Sequence, residues 1–330
     1  MKKVIGGQAV MEGVMMRSPS LMAMAVRRDD GSIVMARHPV QARKGWARIP
    51  LVRGVVNFVA MLKMGFTTLN ESMALLGLEE EEPSKFERWL SEKTGKSTGD
   101  IVMAVGSVMA VALCLGIFFL LPTLAATWLS GFIQAPILVN LAEGGVRLAI
   151  FLLYLAGISL MPDIRRFFAY HGAEHKVVNC YEADRELTVE NAQSQTTLNP
   201  RCGTSFLLIV MVISVLVFSL TGWTGAWWSR FIVRIALLPV VAAISYEVLM
   251  LLAKRNNACV RALRWPGMQL QRLTTRQGRI ILWSSSHAPT QAPASTSVPS
   301  WRSARASRPV RCWPTALQCA TAKFLWVRTL

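Results

Sequence analysis

The chain contains four histidines, and two of them stand in one short run, Tyr170-His171-Gly172-Ala173-Glu174-His175-Lys176. On a helix, His171 and His175 at i and i+4 project from one face, with Glu174 beside them at i+3. This order, H-x-x-E-H, is that of inverted zinc-hydrolase motifs. Two imidazoles can hold a divalent metal, zinc foremost, while Glu174 acts as a base toward water. The bland alternative is a salt bridge from Glu174 to Lys176 or another cation, with both rings packed at a lipid interface.

A catalytic zinc needs a third protein ligand, and the candidates are Cys202, Glu247, Glu182 and Asp184. Cys202 sits in Asn199-Pro200-Arg201-Cys202-Gly203, immediately before an apolar run. A thiolate suits zinc, although a cysteine at a helix start is often only a small buried apolar group. Glu247 lies inside another apolar run, ~9 Å below its polar end at 1.5 Å per residue. A carboxylate at that depth is costly unless paired. Its partner is either a cation such as Arg53 or a Tyr hydroxyl, or a metal or substrate cation.

The elements that must position these residues are mostly membrane helices. Of 330 residues, 52% are hydrophobic and only 17% charged, and the mean hydropathy is +0.37, which is too apolar for an ordinary soluble domain. Four runs reach the ~17 to 25 residues that cross a ~30 Å hydrocarbon layer. They are Ile101 to Leu129, Val139 to Met161, Thr204 to Leu220 and Phe231 to Ala253. The second carries Glu143 and Arg147 in its first half, a position from which snorkelling to the interface is expected. The first and third connections are almost free of Lys and Arg, whereas residues 1–100, 162–203 and those after Lys254 carry many. Positive-inside logic then places both termini and the His-motif loop, 162–203, in the cytoplasm of a bacterial inner membrane. The net charge of +17 is met by the bilayer, so nucleic acid is not an expected partner.

The expected fold is thus mainly α and polytopic, in three regions. Residues 1–100 hold a β-hairpin about Asp30-Gly31, an amphipathic helix over 51–78 and a charged linker over 79–100. Residues 101–276 form the four-span domain. Residues 277–330 contain no Asp or Glu and no periodic pattern, and are expected to be a disordered basic tail or the product of a shifted reading frame. The N-terminal run from Gly6 to Pro19 has glycines spaced for tight turns but lacks the context of a phosphate-binding loop, and its spacing alone reads as structural.

Four segments, GGQAVMEGVMMRSP, YHGAEHKVVNCYE, NPRCGTSF and SYEVL, in this order, closely resemble the YqhQ family of bacterial membrane proteins. The resemblance runs from about Lys3 to Arg276. It implies a domain of unknown function, sometimes described as a metal-dependent enzyme, without a settled substrate. Matched to the family motifs, the positions of interest are His171, Glu174, His175, Cys202, Glu247, Gln8, Glu12 and Arg17. Two functional readings follow. One is a hydrolase-like membrane enzyme with a divalent metal on His171, His175 and Cys202 or Glu247. The other is a non-enzymatic scaffold or regulator that docks a cytoplasmic protein.

Overall fold

The computed structural model describes residues 5–40, 49–77, 89, 93, 98–133, 135–221, 226–255 and 257–276, and two short strands beyond them. The N-terminal region is larger than a hairpin. Strands β1 (Gly6–Val10), β2 (Gly13–Arg17), β3 (Leu21–Arg27) and β4 (Ile33–Pro39) form an antiparallel meander in the order β1-β2-β3-β4. The expected hairpin is β3 and β4, which turns at Gly31 with φ 81°. The glycine-rich run forms the other hairpin: Gly6 pairs with Arg17 and Val10 with Gly13, leaving Met11 and Glu12 at the turn. Gly13 is obligatory, because a Cβ there would lie 2.1 Å from the Ala25 carbonyl oxygen.

The strand period sorts large and small side chains onto the two faces of this sheet. Val10, Met15, Met24 and Val26 form one buried cluster, joined by Met64, Leu75 and Leu76 of helix α1 (Val52–Leu76). Ala9, Ala23 and Ala25 lie in another, with Ala169, Tyr170 and Ala173 of a second helix, α5 (Pro162–Glu182). Small residues on both partners let α5 approach the sheet closely. The His-motif segment is therefore helical at its core, and the expected loop is confined to the residues that follow it.

Between α1 and α5 the chain builds α2 (Thr98–Leu115), a π-helical turn (Gly116–Leu120), α3 (Leu121–Leu129) and α4 (Pro136–Ile158). After α5 come the short α6 (Val189–Gln193), then α7 (Gly203–Ser219), α8 (Trp227–Lys254) and α9 (Ala258–Thr274). Three helical stretches are long and apolar enough to cross a membrane: Ala104–Leu129, Pro136–Ile158 and Trp227–Ala253. The expected third span, α7, is apolar but only 17 residues long. Val108, Trp128, Leu153 and Leu216 stand exposed on these helices, as lipid-facing side chains do.

Glu143 and Arg147 do not snorkel. They are 2% and 3% exposed, and Glu143 pairs both with Arg147 and with Arg234 of α8. The linker over 79–100 lies almost entirely outside the described residues. The tail, expected to carry no fold signal, contributes β5 (Arg279–Ser284) and β6 (Lys323–Arg328), paired antiparallel. Residues 285–322 lie outside the described residues.

Helix α1 is fastened along α8. Gly54 leaves no room for a side chain, since its Cβ would lie 2.8 Å from Ala243 Cα. One turn away, Arg53 clasps Glu247 with two hydrogen bonds, Nε to Oε1 at 2.7 Å and Nη2 to Oε2 at 2.5 Å. A bidentate pair of this kind fixes orientation as well as charge. Arg53→Ala strands the Glu247 carboxylate in an apolar helix and is expected to lower the unfolding midpoint in detergent. The double variant Arg53→Ala, Glu247→Ala is expected to recover part of that loss, because the uncompensated charge is gone. A double variant as unstable as the sum of the two single ones would contradict this role for the pair.

Candidate metal centre

The centre is built on α5, whose Pro162 start and helical register bring His171 and His175 onto one face, with ring centroids 4.4 Å apart. Each ring is oriented by a backbone carbonyl from a different segment. His171 Nδ1 lies 2.9 Å from the Thr274 carbonyl oxygen at the end of α9, and His175 Nδ1 lies 2.5 Å from that of Thr197. A carbonyl oxygen can only accept, so both Nδ1 atoms carry a hydrogen, and in the neutral rings the lone pair falls on Nε2. This is how metal-ligating histidines are held.

The third candidate ligand comes from the start of α7. Cys202 is its N-cap, accepting from the Thr204 N–H at 3.3 Å, so that the positive end of the helix faces Sγ. His171 Nε2 lies 3.3 Å from Sγ. Two ligands at ordinary zinc distances and a tetrahedral angle stand about 3.5 Å apart. The ligand atoms of His171, His175 and Cys202 all lie within 4.8 Å of one another. They are the only group of its kind among the described residues. The donor set of two imidazoles and one thiol, with a position left open, fits a zinc ion.

Glu174 completes the surroundings. It is 6% exposed, its Oε2 lies 3.6 Å from His175 Nε2, and no described residue donates a hydrogen bond to it. Burial pushes its carboxyl up to about 7, against the opposing pull of His171. It is sealed by strand β1: a Cβ on Gly7 would lie 2.3 Å from Glu174 Oε1 and 2.5 Å from Cγ. Gly172 plays the matching part on the other side, where a Cβ would lie 2.3 Å from the Arg276 carbonyl oxygen. There the residues after α9 run over α5, and the Arg276 N–H donates to the Phe168 carbonyl.

Helix α9 also fixes the loop that carries Cys202. Gln271, fully buried, accepts from the Asn199 N–H at 2.8 Å and donates to the Asn199 carbonyl and to Ser205 Oγ, both at 2.7 Å. Asn199 Oδ1 accepts from the Arg201 N–H. Gln271, Thr197, Thr274 and Gly7 were not visible as site residues in the sequence. Two of them act through backbone carbonyls, which any residue type supplies, and Gly7 acts by having no side chain.

The other motif positions serve elsewhere. Glu247 does not join the cluster, because Arg53 holds it on α8. Glu182 pairs with Arg201 at 2.5 Å, and Asp184, just past α5 with φ 61°, is not in the group. Glu12 accepts from Arg166 Nη2 at 2.5 Å and from Tyr170 OH at 3.2 Å, clamping the β1–β2 turn to α5. Gln8 turns toward α1, where a Cβ on Gly65 would meet its amide at 3.3 Å. Arg17 Nη1 lies 3.5 Å from Met64 Sδ. These three hold the sheet between α1 and α5, and so hold Gly7 over Glu174.

Gly7→Val drives a side chain into Glu174 and is expected to cost about 1–3 kcal/mol of stability, the usual range for overpacking. Gly6→Ala, with open space about its Cβ, is expected to leave the unfolding midpoint unchanged. Equal midpoints for the two variants would contradict the stacking of β1 on Glu174.

The pattern of one protein family, described as "Protein of unknown function (DUF1385)", matches residues 49–279. The "Uncharacterized protein YqhQ" of Bacillus subtilis (strain 168) is 36% identical over 276 residues, which covers 82% of this chain and 86% of that protein. No solved structure matches. The matched residues include His171, Glu174, His175 and Cys202, and the extent and identity of the match carry the conclusion: the chain belongs to the DUF1385 family, as a relative of YqhQ.

Proposed function

We propose that the protein is a metal-dependent membrane enzyme of hydrolytic type, with a divalent ion, zinc first, held by His171 Nε2, His175 Nε2 and Cys202 Sγ. The observation that carries this reading is the commitment of both Nδ1 hydrogens to carbonyls, which turns two lone pairs toward one thiol. A zinc ion there supplies Lewis acidity. Glu174 is the proton acceptor and later donor, since its carboxyl is buried beside His175 and has no hydrogen-bond donor among the described residues. Strand β1 covers Glu174 and limits the approach of bulk water. Cys202 Sγ, 3.3 Å from His171 Nε2, would hold such an ion as its thiolate.

The substrate is a lipid, a lipid-linked molecule or a membrane peptide. Supporting this, an apolar recess bordered by Pro200 and Ser205, on either side of Cys202, is lined by Leu208, Leu249, Leu252 and Leu263. The protein sits in a bacterial inner membrane with four spans, the short α7 included, and both termini and the metal centre on the cytoplasmic side. The basic segments before α2, in α5 and after α8 support that orientation.

Metal analysis of the purified full chain tests the reading. About one zinc per chain is expected in the wild type, and less than a tenth of that in the double variant His171→Ala, His175→Ala, as follows from losing two of three ligands. No stoichiometric metal in a folded wild type, or equal metal in both proteins, would overturn it and favour a scaffold that docks a cytoplasmic protein.

A further inference from the structure

Helix α9 begins where a helix long and apolar enough to cross a membrane ends. Only Arg255 to Asn257 separate it from α8, and three residues reach at most ~11 Å. A bilayer crossed by α8 therefore holds the start of α9 at its surface. Asn257 caps that start, its Oδ1 accepting from the Val260 N–H at 2.9 Å. One face of α9 is turned inward: Val260, Gly267, Leu270, Gln271 and Thr274 are buried. Leu270 packs with Phe151, Leu155 and Phe168, and a Cβ on Gly267 would lie 3.0 Å from Ser205 Oγ of α7.

The remainder of the helix is divided by chemistry. At the helical period, Ala262, Leu263, Pro266 and Leu273 fall on one flank, and Arg261, Arg264 and Arg272 on the other. Leu263 and Leu273 are 68% and 43% exposed, and Trp265, 63% exposed, stands at the border between the flanks. A helix of this make lies in a membrane surface, with its apolar flank toward the acyl chains and its arginines toward the headgroups. The charge has one sign, since the sequence holds no Asp or Glu from Val248 to Leu330. An anionic leaflet is its complement.

Beneath this helix lies the apolar recess that borders Cys202. Leu208 and Ile209 of α7, Leu249 and Leu252 of α8, and Leu263 and Arg264 of α9 form its walls. The exposed side chain of Leu263 stands at its outer rim. Arg264 is the one charged side chain among the described residues that line it. Its Nη2 donates to the Arg255 carbonyl, whereas its Nε, buried, has no acceptor among the described residues. A buried N–H left without an acceptor is costly, and a phosphate oxygen at the head of an acyl chain in the recess would satisfy it. Arg255 and Arg261, both exposed nearby on the chain, disfavour the cation of a zwitterionic headgroup.

We propose that this recess is a binding site for an anionic phospholipid, with one acyl chain against Leu208, Leu249 and Leu252 and the phosphate held by Arg264 Nε. The proposal deepens the lipid-substrate reading, on which it rests for turnover, by giving the lipid a negative charge and naming the residue that reads it. Seating the lipid needs no metal. The lipid lies under the helix whose Gln271 holds the Asn199 loop and whose Thr274 carbonyl orients His171, and so at the edge of the metal centre.

The full chain in a neutral detergent tests this, with apparent affinity for short-chain phosphatidylglycerol read from the unfolding midpoint, and with phosphatidylcholine and inorganic phosphate as comparisons. A dose-dependent rise with phosphatidylglycerol is expected, roughly ten-fold stronger than with phosphatidylcholine and absent with inorganic phosphate. Arg264→Gln is expected to weaken the phosphatidylglycerol affinity by roughly ten-fold or more, as the loss of a charge-assisted bond does. Leu263→Asn changes an exposed position that the fold does not depend on, and is expected to weaken it roughly five-fold through lost acyl contact. No rise with phosphatidylglycerol, an equal rise with phosphatidylcholine or inorganic phosphate, or an affinity unchanged in both variants would overturn the proposal. The double variant His171→Ala, His175→Ala is expected to keep the lipid response. Loss of the lipid response with metal intact sinks the lipid site alone, and loss of metal with the response intact sinks the metal reading alone.

Discussion

The site depends on two hydrogen bonds that hold the imidazoles from behind. His171 and His175 lie on a rigid helix, but a helix fixes only where their side chains begin. The carbonyls of Thr274 and Thr197, which come from segments on either side of α7, set the ring orientation and the tautomer. Much of the rest of the structure serves to bring those two carbonyls to α5. Gln271 ties α9 to the Asn199 loop, Gly172 lets the residues after α9 cross α5, and the alanines of β1 and β3 let the sheet close over Glu174. Movement of any of these parts loosens a ring, and with it the direction of a lone pair.

The close packing around α5 also explains its composition. Ala169, Gly172 and Ala173 are small because a strand approaches on one side and the end of α9 on the other. The same limit on side-chain size accounts for glycine at position 7, where β1 runs against a carboxylate. The N-terminal sheet is thus a lid over an acidic group and a brace for the helix beneath it. Its own support comes from Met64, Leu75 and Leu76 of α1, and α1 is anchored in turn by Arg53 and Glu247. The ion pair on α8 reaches the centre only through this chain of contacts.

How much of this was legible in the sequence varies with the physics. Spacing within one helix was readable: His171, Glu174 and His175 fall where the i, i+3 and i+4 pattern places them, and Cys202 follows from a loop that must return to the same end of the bundle. The hairpin at Asp30-Gly31 was readable from its turn. The partner of Glu247 was narrowed to a few candidates, with Arg53 among them, but the choice between cation and metal needed the packing of α1 on α8. The first hairpin was hidden because glycines and short apolar runs gave no clear alternation. The buried fate of Glu143 and Arg147 was hidden because it depends on Arg234, more than eighty residues away. Backbone carbonyl partners left no trace in residue types at all.

The central claim is that His171, His175 and Cys202 form one coordination sphere. X-ray absorption at the zinc edge of the purified full chain tests it directly. The account predicts one sulfur at about 2.3 Å and two imidazole nitrogens at about 2.0–2.1 Å, with a lighter fourth ligand. A sphere of oxygen and nitrogen alone, or one that keeps its sulfur after Cys202→Ser, would contradict it.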